Sequence, residues 1–260
     1  MTEPISRRNA LGVFSTIGLG ALLAACTGEG GSSTAPSTTA TGTTVPTVEG
    51  GTATVSPQTS SALSAQSFAG SGTCTLSREL TEGPYYFDVD AIRADIREDR
   101  AGAALRLGIL VQDGESCDPI RNAVVDIWHC DAEGLYSGFE SASQGSPGSG
   151  RTDDETYLRG AQVTNAEGIV EFTTVYPGWY RGRTVHIHCK VHLDQTEFLT
   201  TQLFFDEAVT DAVYASAPYS PDAGRTLNAS DNIFDESLVL TVTPDGDGYL
   251  GLITFGVEAA

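Results

Sequence analysis

Short runs in which apolar and polar residues alternate dominate the C-terminal two thirds of the chain. Leu105, Leu107, Ile109 and Val111 alternate in a run that ends at the turn sequence Asp113-Gly114. A period of two sends successive side chains to opposite faces, which is typical of a half-buried β-strand. Further strands are predicted at 125–129, 168–175, 184–193, 200–205, 237–243 and 249–256, and short helices at 90–98 and 206–216.

Seven or so short strands without a sustained helical period indicate an all-β fold. We expect an antiparallel β-sandwich, immunoglobulin-like or prealbumin-like, with short helices and long loops. The sequence shows no internal repeat.

The N-terminus is typical of an export signal. Arg7-Arg8 precedes an apolar run from Val13 to Ala25, which ends in Leu23-Ala24-Ala25-Cys26. The run is short and rich in small residues, whereas a spanning helix needs about 20 apolar residues. Residues 1–26 resemble a twin-arginine signal with a lipobox, in which Cys26 is lipidated. An ordinary N-terminal anchor helix is the alternative, but we expect an exported cell-surface lipoprotein or extracellular protein.

Residues 27–72 have the composition of a tether. They contain 20 Ser or Thr among 46 positions, with Glu29 and Glu49 as the only charges. Such a segment buries too little apolar surface to offset its chain entropy, so we predict a disordered Ser/Thr/Gly-rich tether. The folded domain is expected at 73–260.

The chain is strongly acidic, with 34 Asp or Glu, 14 Lys or Arg and a formal charge of −20. An acidic surface repels phosphate backbones and anionic headgroups. Nucleic-acid partners are therefore excluded, and membrane contact is expected only through a lipid on Cys26.

Four cysteines fall in the predicted domain: Cys74, Cys117, Cys130 and Cys189. Outside the cytoplasm an even number favours two disulfides, and three pairings are open. A thiolate metal site is the less favoured alternative, because no Cys-x-x-Cys pair occurs.

His186 and His188 flank a single residue on a predicted strand. Side chains two residues apart lie on one face, about 7 Å apart along the strand, so both imidazoles could bind one metal ion. Two structural histidines are the alternative. Tyr180 follows a Pro-Gly turn shortly before them, and Tyr136 follows Gly134-Leu135. Phenolates are hard donors that suit ferric iron better than softer divalent metals.

Four segments in order carry a family resemblance: 80–86 with Gly83-Pro84-Tyr85, 125–136, 180–188 and 201–205. Together they resemble the intradiol ring-cleavage dioxygenases, the group of catechol and protocatechuate dioxygenases, in a secreted or lipid-anchored form of actinobacterial type. The resemblance implies Fe(III) held by Tyr136, Tyr180, His186 and His188. It implies catalytic roles for Tyr180, Arg183 and Gln202, and substrate contacts from Gly83, Pro84, Tyr85, Arg183 and Gln202.

The implied activity is cleavage of catechol-type aromatic diols by O2 to cis,cis-muconate-type products, with a small aromatic diol and O2 as partners and no organic cofactor. The alternative is a non-catalytic sandwich that binds catecholates such as siderophores; a sandwich with no metal would leave the tyrosines and histidines unexplained. Two features depart from the cytoplasmic members. The interval from Tyr180 to His186 is shorter, and the N-terminal helical region that dimerises catechol dioxygenases is replaced by the tether, so no oligomeric state is predicted.

Overall fold

The computed structural model describes residues 43–46, 52–55, 62–72, 74–89, 91–140, 150–194, 196–219 and 224–258. The predicted signal at 1–26, with Cys26, lies outside these residues. Within them, no helix is both long and apolar enough to cross a membrane.

Ten strands and one α-helix make up the described secondary structure. The strands are β1 (Thr43–Pro46), β2 (Thr52–Val55), β3 (Ala104–Asp113), β4 (Val124–Trp128), β5 (Arg159–Val163), β6 (Ile169–Val175), β7 (His186–Leu193), β8 (Thr196–Phe204), β9 (Thr241–Asp245) and β10 (Gly248–Val257). Helix α1 spans Glu207–Tyr214, and three short 3-10 helices span Ala65–Phe68, Asn228–Ser230 and Glu236–Leu238. β1 and β2 form an antiparallel hairpin within the segment predicted to be a disordered tether.

Two four-stranded sheets form the predicted sandwich, in the orders β6-β3-β10-β9 and β5-β4-β7-β8. Their pairings are antiparallel except that β10 runs parallel to β3. The alternating residues of β3, such as Leu107 and Ile109, are fully buried in one cluster with Ile127 of β4 and Ile187 of β7. The prediction of an all-β sandwich is therefore confirmed. The period of two explains the packing, because it places every second strand residue between the sheets.

One predicted helix is wrong and one is right. Residues 91–97 are not helical: Ile92 bridges to Ala161 of β5 and Asp95 to Thr173 of β6. Ile96 is buried in the core at this position. The segment is therefore held by pairing with the sheet edges and by this burial, and it does not follow its helical sequence pattern. Helix α1 lies within the predicted range 206–216, and Asp206 is its N-cap: its carboxylate accepts the N–H groups of Ala208 and Val209. Strand β5 was not predicted, because its sequence Arg-Gly-Ala-Gln-Val lacks apolar alternation.

The packed region begins earlier than residue 73. Leu63 and Phe68 are buried against Leu110 and Leu252, on the outer face of the β3–β10 pair. Ser71 extends this contact, because its carbonyl accepts the N–H of Thr254 at 2.9 Å. Residues 62–72, predicted as tether, therefore pack on the domain through two apolar side chains in a Ser-rich segment.

Only one of the two expected disulfides forms. Cys74 and Cys117 are bonded, with their Cα atoms 5.5 Å apart. Cys130 and Cys189 are buried free thiols. Cys189 lies in the core between the sheets, whereas Cys130 packs with Trp128 on the opposite face of the β4–β7 pair. The prediction of a second disulfide is wrong, because the sheet separates the two remaining thiols.

Removing the disulfide with Cys74→Ser and Cys117→Ser is expected to lower the free energy of unfolding by about 2–4 kcal/mol, because the bond closes a loop spanning 43 positions. Guanidinium denaturation of the oxidised protein measures the loss. Reductant should lower the stability of the unmodified chain and leave the double variant unchanged. Equal stabilities of the two oxidised proteins would contradict the prediction.

Candidate active site

The two predicted histidines open strand β7 and share one face of its sheet. Register places His188 between Trp128 of β4 and Gln202 of β8. The indole of Trp128 stacks on the imidazole of His188, with ring centroids 4.9 Å apart and planes 7° apart. Side chains of three adjacent strands therefore build one wall on the face that points away from the core.

Two turns deliver the tyrosines. In the first, Asp131 holds the chain ahead of Tyr136: its Oδ1 accepts the N–H of Glu133 and of Leu135, each at 2.9 Å. In the second, which leads to Tyr180, the N–H of Gly178 donates to the carbonyl of Asp131 at 2.9 Å. The turns thus pack backbone against backbone.

Glycine permits this close approach. A Cβ on Gly134 would overlap the carbonyl oxygen of Trp179, and a Cβ on Gly178 would overlap that of Asp131. Gly134 also has a φ of +84°, where a side chain is strained. The rings of Tyr136 and Tyr180 then meet edge to face, with their centroids 5.7 Å apart.

Four donor atoms converge where the strand and the two turns meet. Nε2 of His186 lies 3.1 Å from Nε2 of His188, 3.3 Å from Oη of Tyr180 and 3.4 Å from Oη of Tyr136. Ligand atoms bound about 2.1 Å from one ion, at angles of about 90–110°, lie roughly 3.0–3.4 Å apart. The spacing fits a shared metal ion.

The protonation of this cluster also suits a metal. Nδ1 of His186 donates to the carbonyl of Thr184 at 2.6 Å, so Nε2 carries the lone pair that faces the other donors. The pKa of His186 is lowered to about 3, mainly by burial and next by the positive charge of Arg183. Burial and then His186 lower the pKa of His188 well below its usual value. Both rings are therefore neutral at neutral pH, as metal ligands must be.

The phenols behave in the complementary way. Burial, followed by the neighbouring Tyr180, raises the pKa of Tyr136 well above its usual value, and burial also raises that of Tyr180. A phenolate here needs a cation beside it, and a ferric ion is a hard acceptor that matches hard phenolate donors. In the described part of the chain no group of three or more His, Cys, Asp or Glu side chains could hold a metal. The fit therefore depends on the two tyrosines.

Arg183 and Gln202, predicted as functional, are in contact. Nη2 of Arg183 donates to Oε1 of Gln202, and Nε2 of Gln202 donates to the carbonyl of Thr81 at 2.7 Å. Nη1 of Arg183 lies 3.5 Å from Nε2 of His186. The guanidinium therefore directs one nitrogen at the four donors.

The segment with Gly83, Pro84 and Tyr85 covers the other side. A Cβ on Gly83 would lie 3.0 Å from Cε1 of His188, at a φ of +78°, so glycine allows the loop to rest on that ring. Tyr85 is buried, with its ring 4.7 Å from Tyr136 and 6.1 Å from Tyr180. Pro84 is exposed. Gly83 and Tyr85 therefore lie at the cluster, and the substrate contacts of Gly83, Pro84 and Tyr85 stay a prediction.

Two residues that hold this arrangement were not predicted. Nζ of Lys190 pairs with Glu82 at 2.6 Å and Glu197 at 2.8 Å, which ties the 80–86 loop to the sheet. Lys190 is the only lysine of the chain and lies on the same strand face as His186 and His188, so the sequence alone could have indicated it as a site residue. Asp231 pairs with Arg183 from 48 positions away, and no local pattern points to it.

Comparison with known proteins agrees with this geometry. The sequence profile of the family described as "Dioxygenase" matches residues 81–232, more than half of the chain. A solved structure titled intradiol ring-cleavage dioxygenase, from Tetranychus urticae, is 35% identical with a TM-score of 0.67, and the match covers 71% of this chain and 95% of that one. The chain belongs to the intradiol dioxygenase family.

Other members of the family are more distant. The dioxygenase domain of a carbohydrate-binding fusion from Streptomyces sp. SirexAA-E is 28% identical, with a TM-score of 0.54 over 71% of this chain and 99% of that one. Chlorocatechol 1,2-dioxygenase of Rhodococcus opacus is 30% identical over 130 residues, 43% of this chain and 47% of that protein. Catechol 1,2-dioxygenase 1 of Acinetobacter lwoffii is 30% identical over 146 residues, which cover 46% of this chain and 43% of that protein. The chain spans about half the length of the curated relatives it matches.

Proposed function

We propose that this intradiol dioxygenase uses non-haem Fe(III) to cleave catechol-type diols between their hydroxyls with O2, giving cis,cis-muconate-type products. The observation that carries the proposal is the convergence of one imidazole nitrogen and two phenol oxygens within 3.1–3.4 Å of Nε2 of His186. Relatives named catechol and chlorocatechol 1,2-dioxygenase support the substrate class.

Tyr136, Tyr180, His186 and His188 would hold the ion. Bound there, ferric iron would draw electron density from a coordinated diol and so make its ring reactive toward O2. Tyr136 is fully buried, whereas Tyr180 is partly exposed. We therefore infer that Tyr180 would be the ligand that gives way to the substrate, and that its Oη would take up a hydroxyl proton.

The remaining predicted residues act on the substrate. Nη1 of Arg183 points at the cluster, where a fixed donor stabilises negative charge that develops on the ring. Gln202 accepts a hydrogen bond from the guanidinium of Arg183 and therefore lies beside the same cluster. Tyr85, whose ring lies 4.7 Å from that of Tyr136, forms an aromatic wall that excludes water from the reacting ring.

We also propose that the enzyme is exported and attached to the cell surface through a lipid on Cys26. The Arg7-Arg8 pair and the sequence Leu-Ala-Ala-Cys support this location. The disulfide between Cys74 and Cys117 supports it further, because such bonds persist in oxidising compartments.

Colour and oxygen uptake test the function. The purified protein is expected to contain iron and to be red to burgundy from tyrosinate-to-Fe(III) charge transfer. With catechol it should consume O2 while the absorbance of muconate rises. A protein with iron and colour that binds catechol without consuming O2 would instead be a catecholate-binding module. A colourless protein that takes up no iron would overturn the metal site itself.

A further inference from the structure

The carboxylate of Asp231 is buried beside the active-site arginine. Its side chain is 0% exposed, and its Oδ2 accepts Nε of Arg183 at 2.9 Å. The same oxygen accepts the N–H of Thr184 at 2.9 Å, and Oδ1 accepts the N–H of Ile233 at 2.9 Å. Two backbone N–H groups thus fix the carboxylate, and the carboxylate holds the arginine.

The guanidinium is oriented by two of its three nitrogens. Nε binds Asp231 and Nη2 binds Gln202, which leaves Nη1 facing Nε2 of His186 at 3.5 Å. A guanidinium is planar and rigid, so fixing two nitrogens fixes the direction of the third. Asp231 therefore sets where the nitrogen that faces the four donors points.

The loop that carries Asp231 has other attachments. Thr184 donates to Oδ1 of Asn228 at 2.6 Å, the N–H of Gly182 donates to Thr226 at 3.2 Å, and Nδ2 of Asn228 donates to the carbonyl of Phe205 at 2.9 Å. These contacts do not involve the carboxylate of Asp231. The loop should therefore keep its place when that carboxylate is neutralised.

We propose that Asp231 is a positioning residue for ring cleavage: it acts through Arg183, by aiming the guanidinium at the substrate. This inference rests on the function proposed above. It predicts that loss of the carboxylate slows turnover and leaves the metal ligands in place.

The test compares two Asp→Asn variants of the iron-loaded full chain. Asp231→Asn is expected to lower kcat for catechol by about 10–100-fold, by analogy with the loss of a group that orients a metal ligand. KM should change less than about threefold, and iron content and colour should stay unchanged, since no ligand is altered. Asp235→Asn is the matched control, because Asp235 lies on the same loop and pairs with the exposed Arg78. Its kcat should remain within about twofold.

A double variant separates positioning from general stability. If Asp231 acts through Arg183, Asp231→Asn adds no further loss of kcat to Arg183→Gln, whereas independent effects would multiply. A multiplied loss, or a kcat for Asp231→Asn equal to that of Asp235→Asn, would overturn the proposal. If Asp231→Asn does not accumulate as folded protein, Asp231→Glu serves in both comparisons. It keeps the charge but displaces it by one methylene, so a smaller loss of kcat is expected.

A crystal structure of Asp231→Asn gives a readout that does not depend on turnover. The guanidinium should have left Gln202 and His186; an unmoved Arg183 would overturn the inference. Absence of catechol cleavage by the unmodified enzyme would instead overturn the proposed function, so the two failures are distinguishable.

Discussion

Tyr136→Phe is expected to lose both iron and turnover, and to lose more iron than Tyr180→Phe. The Oη of Tyr136 lies 3.4 Å from Nε2 of His186. Because Tyr136 is fully buried, water cannot readily take the place of this oxygen in the variant. Loss of a group that merely orients a ligand costs about 10–100-fold in affinity or activity, and loss of a ligand itself should exceed this. Tyr180 is partly exposed, so water can substitute for its phenolate in the variant.

Iron per chain, affinity by chelator competition and the charge-transfer band measure this prediction. Tyr249→Phe is the control, because it makes the same chemical change in β10, away from the cluster. Both site variants should bleach or shift the band, while the control keeps it. Full iron content and an unchanged band in Tyr136→Phe would show that Tyr136 is not a ligand.

Gly134→Ala is expected to destabilise the domain by about 2–5 kcal/mol and to separate the two tyrosines. The residue has a φ of +84°, which costs about 1–2 kcal/mol with a side chain. Its Cβ would also overlap the carbonyl of Trp179 and lie 3.6 Å from Cβ of Tyr180, and such overpacking adds about 1–3 kcal/mol. Because the obstacle is backbone, the turn that carries Tyr180 must shift.

Comparison with Gly182→Ala separates the effect of the Gly134 contact with Trp179 from the effect of backbone strain. Gly182 has a φ of +88° but no atom within 4 Å of its Cβ position, so only the conformational cost should remain. Urea denaturation gives the free energy of unfolding, and elemental analysis gives the iron retained. Equal stability and equal iron in the two variants would refute the role of the Gly134 contact.

The strands of the sandwich were predictable because their signal is local. In β3 and β7 the face on which a side chain lies follows from its position along the strand, so the core residues and the pairing of His186 with His188 on one face both follow from sequence. Strand β5 carries no such alternation, and residues 91–97 are not helical because Ile92 and Asp95 pair with the edges of β5 and β6.

The sequence by itself determined which donors are available: two histidines two residues apart on a strand, and two tyrosines that each follow a glycine-containing turn. The tertiary structure alone decided that these turns meet, that Asp231 holds Arg183, and that Cys130 and Cys189 lie on opposite faces of a sheet. The reason is physical. A strand's periodicity encodes the direction of a side chain, whereas a contact between segments about 40–50 positions apart depends on how closely two backbones can approach, and here glycine at 134 and 178 permits that approach.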